Sequence, residues 1–103
     1  MENDKGKFIV KIDPDLEELI PGFFENRHSD IEELLDALQQ NKYDEIKILG
    51  HTMKGAGGGY GFDEISEIGK EIEEAALEKN EEAIRDLIKR LQNYLEKVQV
   101  VLE

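Results

Sequence analysis

A histidine, a lysine and a run of glycines stand together near the middle of the chain, in Gly50-His51-Thr52-Met53-Lys54-Gly55-Ala56-Gly57-Gly58-Gly59-Tyr60-Gly61. An imidazole is a nucleophile and proton carrier near neutral pH, and a nearby ammonium group attracts anions. In a helix interior each glycine costs about 1 kcal/mol relative to alanine. Glycines beside these two side chains therefore suggest that something large must come very close to His51.

The segment from Lys42 to about Tyr60 has the periodicity of an amphipathic helix. At roughly 100° per residue, the apolar positions near Leu49 form one stripe, made of Ile46, Met53, Ala56 and Tyr60. On the same wheel His51 falls about 200° from Leu49, on the opposite side. We therefore expect His51 to be exposed to solvent rather than to be a buried core histidine.

The residues that share the face of His51 add charge and remove bulk. Lys54 at i+3 and Lys47 at i−4 are surface neighbours of His51 and make a basic spot. Gly55 at i+4 and Gly58 at i+7 carry no side chain. This face predicts a nucleophilic nitrogen with cationic support for an anion and a flat surface for a partner. The other glycines of the helix, Gly50, Gly57 and Gly59, lie elsewhere on the wheel, where some of them allow close helix packing.

Composition excludes several classes of function. The 103 residues include 25 acidic and 13 basic side chains, a formal net charge of −12, and no cysteine. Such an acidic surface disfavours binding to nucleic acid or to anionic membranes, and it favours a soluble monomer. Disulfides and thiolate metal sites are excluded, and neither a membrane-spanning run nor a signal peptide is visible. We expect a single-domain, cytoplasmic protein.

Three other kinds of site fit the residues poorly. The pattern of a Walker loop fails because Ala56-Gly57 follows Gly55. The dinucleotide-binding fingerprint fails because Tyr60 stands where its third glycine is needed. No strand precedes either pattern. Glu25 and His28 have the Glu-x-x-His spacing of di-iron bundles, but the second copy is missing because Ile48 precedes His51 by three residues. No nucleophile–base set for a hydrolase is visible, and only Asp44 is a carboxylate on the same helix face. We expect no bound metal or cofactor.

The rest of the chain predicts helices around this segment. A short helix is expected to begin at Asp13-Pro14 and to end before Pro21, and a long one to run from Pro21 to about Gln40. Asn41 is expected to cap the helix that carries His51, with Asp44 in its first turn. A third long helix is predicted over about 62–79, and a last one, capped by Asn80, continues to Leu102. The inward positions of the first long helix are predicted as Phe24, Ile31, Leu34, Leu35 and Leu38; those of the third as Ile65, Ile68, Gly69, Ile72, Ala75 and Ala76; and those of the last as Ile84, Leu87, Ile88, Leu91, Leu95, Val98 and Leu102.

Helices of this length with short connections predict an all-α fold. The expected architecture is an antiparallel up-down-up-down four-helix bundle over residues 13–103, with a short extra N-terminal helix. Residues 1–12 are expected to form an extended arm that ends in the β-prone Phe8-Ile9-Val10-Lys11-Ile12 and has no partner strand.

The motif His51-Thr52-Met53-Lys54-Gly55, followed by Tyr60-Gly61-Phe62, resembles that of histidine-containing phosphotransfer (HPt) domains. Their pattern is His-x-Leu/Met-Lys-Gly-Ser/Ala, followed after a few residues by a hydrophobic residue and glycine. The resemblance covers roughly residues 13–102. Two positions depart from it, because Gly57 replaces the frequent serine or alanine and Tyr60 is bulkier than the common leucine.

This resemblance implies a phosphoryl carrier in a two-component phosphorelay. His51 would be the phosphoacceptor, Lys54 would help to neutralise the phosphoryl group, and Lys47, Gly55 and Gly58 would belong to the docking face. The expected partners are response-regulator receiver domains and hybrid sensor kinases, and the receiver would supply Mg²⁺ and the phosphorylated aspartate. The chain resembles a stand-alone HPt protein without a kinase domain, so no autokinase activity is expected. The alternative is an acidic helical module that binds a partner and carries no phosphate.

Overall fold

The structure is a computed structural model that describes residues 8–103. It contains four long helices: α1 (Ile20–Gln39), α2 (Tyr43–Tyr60), α3 (Asp63–Leu77) and α4 (Glu81–Lys97). Two short strands, β1 (Phe8–Ile12) and β2 (Val98–Leu102), flank them in sequence, and a 3₁₀ helix (Pro14–Leu19) precedes α1. The all-α class and the four-helix bundle are confirmed, and residues 1–7 of the predicted arm lie outside the described part.

The helix boundaries follow the predicted capping residues in most places. The Asp13 carboxylate accepts a hydrogen bond from the Asp15 amide at 2.9 Å and starts the 3₁₀ helix. Pro21 stands in the first turn of α1, where a missing N–H costs nothing. Asn80 caps α4 by accepting a hydrogen bond from the Ala83 amide at 3.1 Å. The prediction for Asn41 is wrong: it adopts a positive φ of 59° just after α1, and Lys42 stands at the start of α2.

The predicted helix to Leu102 is also wrong at its C-terminal end. α4 ends at Lys97, and Val98–Leu102 instead pairs with β1 as a parallel strand, with Phe8 opposite Val98 and Ile12 opposite Leu102. Val-Gln-Val-Val-Leu is rich in β-branched residues, which favour strands once a partner strand is available. The N-terminal arm is that partner, so β1 does have a pairing strand.

The core lies between the four helices and includes nearly all of the predicted inward positions. The fully buried side chains include Leu34, Ile46, Met53, Ile65, Ile68, Ile72, Ile84 and Leu91. Leu35 and Leu102 are exceptions to the prediction, because 42% and 39% of their surfaces are exposed. Four aromatic rings join α1 to the turn between α2 and α3, and Phe23 stacks on Phe62 at 4.9 Å and contacts Tyr60 at 4.5 Å.

A buried arginine on α1 pairs with a partly buried aspartate. Arg27 on α1 is buried, its guanidinium lies 4.8 Å above the Phe23 ring, and its Nε donates to Asp30 at 2.8 Å. Burial raises the pKa of the Asp30 carboxyl, and the neighbouring Arg27 charge opposes that rise. Arg27 therefore serves the packing of α1, whereas His28 beside it is exposed.

Candidate functional site

His51 lies in the middle of α2 with 66% of its side chain exposed, as the helical wheel predicts. The imidazole leans toward α3, where Nδ1 lies 3.3 Å from Oε2 of Glu73. The other ring nitrogen, Nε2, is not part of this contact. A carboxylate beside Nδ1 favours the tautomer that keeps its proton there, and this leaves the lone pair on Nε2.

Glu73 also links His51 to Lys54. Its second oxygen, Oε1, lies 3.8 Å from Nζ of Lys54, and only 22% of the Glu73 side chain is exposed. One half-buried carboxylate therefore lies next to both predicted site side chains. Lys47 is exposed one turn before His51 on α2, and it forms no ion pair within residues 8–103.

Glycines set the spacing between α2 and α3. A Cβ on Gly50 would lie 2.8 Å from the carbonyl oxygen of Gly69, and a Cβ on Gly69 would lie 2.6 Å from the Lys54 amide nitrogen. Near the other end of α2, a Cβ on Gly57 would lie 2.6 Å from the Ser66 amide nitrogen. The two helices therefore touch along their backbones and run in opposite directions. This close contact brings Glu73 within reach of His51.

A hydroxyl on α3 adds to this contact. Ser66 Oγ donates to the carbonyl oxygen of Lys54 at 2.9 Å, in the glycine-rich half of α2. Because a side-chain donor satisfies this carbonyl, the segment that carries Lys54 is fixed against α3.

The side of His51 away from α3 is open. Nothing lies within 4 Å of a Cβ built on Gly55 or Gly59, and the nearest atom to one on Gly58 is Ser66 Oγ at 3.8 Å. Ile48, three residues before His51, is 63% exposed. The site is therefore an exposed imidazole on a nearly flat helix surface, with an apolar side chain at its edge.

The glycines thus divide as the wheel predicts, because only some of those outside the His51 face allow close helix packing. Gly50 and Gly57 serve helix packing, and Gly55 and Gly58 leave the His51 face free. Gly59 serves neither role, because it faces open space outside the predicted face. Within residues 8–103, no group of three or more His, Asp or Glu side chains is placed to hold a metal ion.

A comparison with protein families found a match. A family profile described as Hpt domain matches residues 18–100. This chain belongs to the Hpt domain family. Hpt domains are phosphoryl carriers of two-component signalling, and they interact with receiver domains and kinases in phosphorelays. No curated protein and no solved structure gave a match.

The family match does not by itself assign a role to any individual residue. Sequence reasoning identified His51 and Lys54 but missed Glu73, which is 22 residues away and reaches the site only through helix packing. The signal that could have found it is Gly69, a glycine among the inward residues of α3 that matches Gly50 on α2. No helix in the described part of this Hpt chain is long and apolar enough to cross a membrane.

Proposed function

We propose that His51 is the phosphoacceptor and that this Hpt chain passes phosphoryl groups between receiver aspartates. The observation that carries the proposal is the exposed imidazole whose Nδ1 lies against Glu73, so that Nε2 faces the open side. The expected donor is the acyl phosphate of a receiver domain, which would also supply Mg²⁺.

Transfer would proceed in line at phosphorus. The Nε2 lone pair forms the N–P bond while the bond from phosphorus to the aspartate oxygen breaks, and the aspartate leaves as a carboxylate. No proton has to move, because Nδ1 keeps its hydrogen throughout. The phosphorylated ring is cationic, and the Glu73 carboxylate 3.3 Å from Nδ1 stabilises that charge. The reverse transfer to a second receiver uses the same geometry.

Lys54 would assist through charge. Its side chain is 42% exposed, and its ammonium group, 3.8 Å from Glu73, can turn toward a phosphoryl group on Nε2. Phosphoryl transfer depends mainly on alignment and on charge stabilisation, so a single cation beside the acceptor is a useful contribution. Lys47, on the same face, adds to the attraction of an anionic partner surface.

The open face would be the docking surface for the receiver. Gly55 and Gly58 offer no side chain that would hold another domain away from His51, and Ile48 offers apolar contact. The net charge of −12 favours a monomer. We propose that the chain works in the cytoplasm as a carrier without autokinase activity.

The two histidines of the chain provide a direct test. The purified chain is incubated with a receiver domain that carries labelled acyl phosphate, and transferred label is tested for the acid lability and alkali stability of phosphohistidine. His51→Gln should abolish labelling. His28→Gln, which removes an exposed histidine from α1, should leave labelling unchanged.

The alternative, an acidic interaction module that carries no phosphate, makes a different prediction. Receiver binding would then be indifferent to His51 and to the phosphorylation of the receiver. Label retained in His51→Gln, or no transfer to the unaltered chain from any receiver of the host, would overturn the proposed function.

A further inference from the structure

β1 has one edge without a neighbouring strand. Within residues 8–103 it pairs only with β2, on one side, in a two-stranded sheet. Backbone groups alternate in direction along a strand, so the free edge presents N–H and C=O groups with no ladder partner. Such an edge is a template for an added strand.

A groove runs along this free edge. It has a volume of about 510 Å³, and one wall consists of four successive residues of β1, Phe8–Lys11. The other lining residues come from the α2–α3 turn, the first turn of α3 and α4: Gly61, Asp63, Glu64 and Tyr94. No residue of β2 lines the groove, which therefore lies on the side of β1 away from its partner. Four strand residues span roughly 13 Å, enough for a short extended segment.

Tyr94 leaves a polar group without a partner at this groove. Its side chain is 1% exposed, it packs on the Phe8 ring at 4.8 Å, and its hydroxyl has no hydrogen-bond partner within the described residues. Buried polar groups nearly always have a partner, because leaving one unpaired costs free energy. Burial raises the pKa of Tyr94, and the negative charges of Glu64 and Asp63 add to that rise.

The charge of the groove indicates what it accepts. Asp63 and Glu64 stand in the first turn of α3. Arg90 of α4 donates to Glu64 at 2.9 Å and to Glu71 at 3.0 Å, so its charge is shared with a carboxylate outside the groove, and it does not pair with Asp63. Lys11 is the only basic residue among those that line the groove. A second copy of this chain, with its net charge of −12, is repelled, whereas a basic segment is attracted.

We propose that this groove binds an extended, basic segment of a second protein, which adds a strand to the free edge of β1. The segment's backbone pairs with Phe8–Lys11, its Lys or Arg side chains reach Asp63 and Glu64, and its backbone or a polar side chain bonds to the Tyr94 hydroxyl. Added strands of this kind bind by main-chain hydrogen bonds and gain selectivity from their side chains.

This surface is separate from the His51 site. Glu64 precedes Glu73 by nine residues on α3, which is roughly 14 Å along the helix axis. A bound segment would therefore tether a partner to the chain without covering His51, and the proposal does not depend on the role of His51.

A designed peptide tests the proposal with the complete chain. Acetyl-Val-Lys-Val-Arg-Val-Lys-amide is titrated into ¹⁵N-labelled protein, and the amide shifts of Phe8–Lys11 should respond most. Two control peptides should bind at least tenfold more weakly: one with Glu in place of every Lys and Arg, and one with all backbone nitrogens methylated, which cannot pair as a strand.

Variants of the protein locate the contacts. Tyr94→Phe should weaken peptide binding about fivefold, as expected for one hydrogen bond, and Asp63→Asn about threefold. Asp86→Asn, which removes an exposed carboxylate from α4 outside the groove, should leave the affinity unchanged. Equal binding of either control peptide, or shifts centred away from β1, would overturn the proposal. A dimer at working concentration that the peptide dissociates would make a second copy the occupant and overturn it as well.

Discussion

Gly50 and Gly69 meet backbone to backbone where α2 crosses α3, and a Cβ on either would come within 2.8 Å of the other's carbonyl oxygen. The same crossing places Glu73, one turn after Gly69, at 3.3 Å from His51. The distance between Glu73 and His51 is therefore set by the contact of Gly50 with Gly69, which precedes Glu73 by four residues on α3.

The first prediction concerns this packing. Gly69→Ala should lower the free energy of unfolding by about 2 kcal/mol, because the neighbouring backbone of α2 cannot move aside cheaply. Gly59→Ala is the matched control, since its Cβ meets open space and alanine is the better helix former, so this variant should gain up to about 1 kcal/mol. Urea denaturation followed by circular dichroism measures both. Equal stability of the two variants would contradict the close contact.

The second prediction concerns the tautomer of His51. Removing the acceptor with Glu73→Ala should shift the neutral imidazole away from the form protonated at Nδ1, which ¹⁵N NMR of the ring detects. Phosphoryl transfer should slow about twofold to fivefold, because the cationic phosphorylated ring loses the carboxylate 3.3 Å from Nδ1. Glu73→Gln, whose amide oxygen still accepts, should recover the tautomer and part of the rate. An unchanged tautomer ratio in Glu73→Ala would show that Glu73 does not position the ring.

The sequence is sufficient to predict most of the helical framework and the solvent exposure of His51, but not the position of Glu73 beside it. The stripe of Ile46 and Met53 places His51 on the solvent side, because a single helix has a fixed periodicity. Glu73 could not be predicted in the same way, since its position depends on how two helices meet. The sequence indicates how α2 and α3 meet only by placing glycine at both contact positions, Gly50 and Gly69.

The strand β2 shows a second limit of sequence reasoning. Val98 and Leu102 continue the spacing of the α4 stripe, so periodicity alone extends the helix. β2 forms by pairing with β1, which lies about 90 residues earlier in the chain. A periodicity among neighbouring residues contains no information about such a distant partner. A short β-prone end is therefore decided by tertiary context rather than by propensity.

The third prediction separates charge from structure at Lys54. Lys54→Ala should slow phosphoryl transfer about tenfold while the helical circular dichroism stays constant, because the ammonium lies in a partly exposed ion pair rather than in the core. Lys70→Ala removes an exposed lysine from α3 and is the control. Equal transfer rates in the two variants would exclude Lys54 from charge stabilisation.

The fourth prediction tests the bare face. Gly55→Gln puts a neutral side chain next to His51 and should weaken receiver docking at least tenfold, measured as the KM for the phosphorylated receiver. Gly22→Gln places the same side chain in equally open space in the first turn of α1. That turn lies beside Tyr60, roughly 14 Å from His51 along α2. If both variants dock like the unaltered chain, the glycine is not needed for close approach.

The last prediction concerns Tyr94 and alkaline stability. Burial, with a smaller contribution from Glu64 and Asp63, raises the pKa of Tyr94 to about 12 from an ordinary value of 10.0. Below pH 10 the phenol is neutral in both the folded and the unfolded chain, so stability does not depend on its titration. Between pH 10 and 12 the unfolded chain loses this proton first, and the free energy of unfolding should fall by on the order of 1–2 kcal/mol. Tyr94→Phe should remove that part of the decline, whereas Tyr43→Phe, which retains Tyr94, should keep it. Urea denaturation at pH 9, 10.5 and 11.5 distinguishes the variants, and a decline of equal size in Tyr94→Phe would show that the buried phenol is not its source.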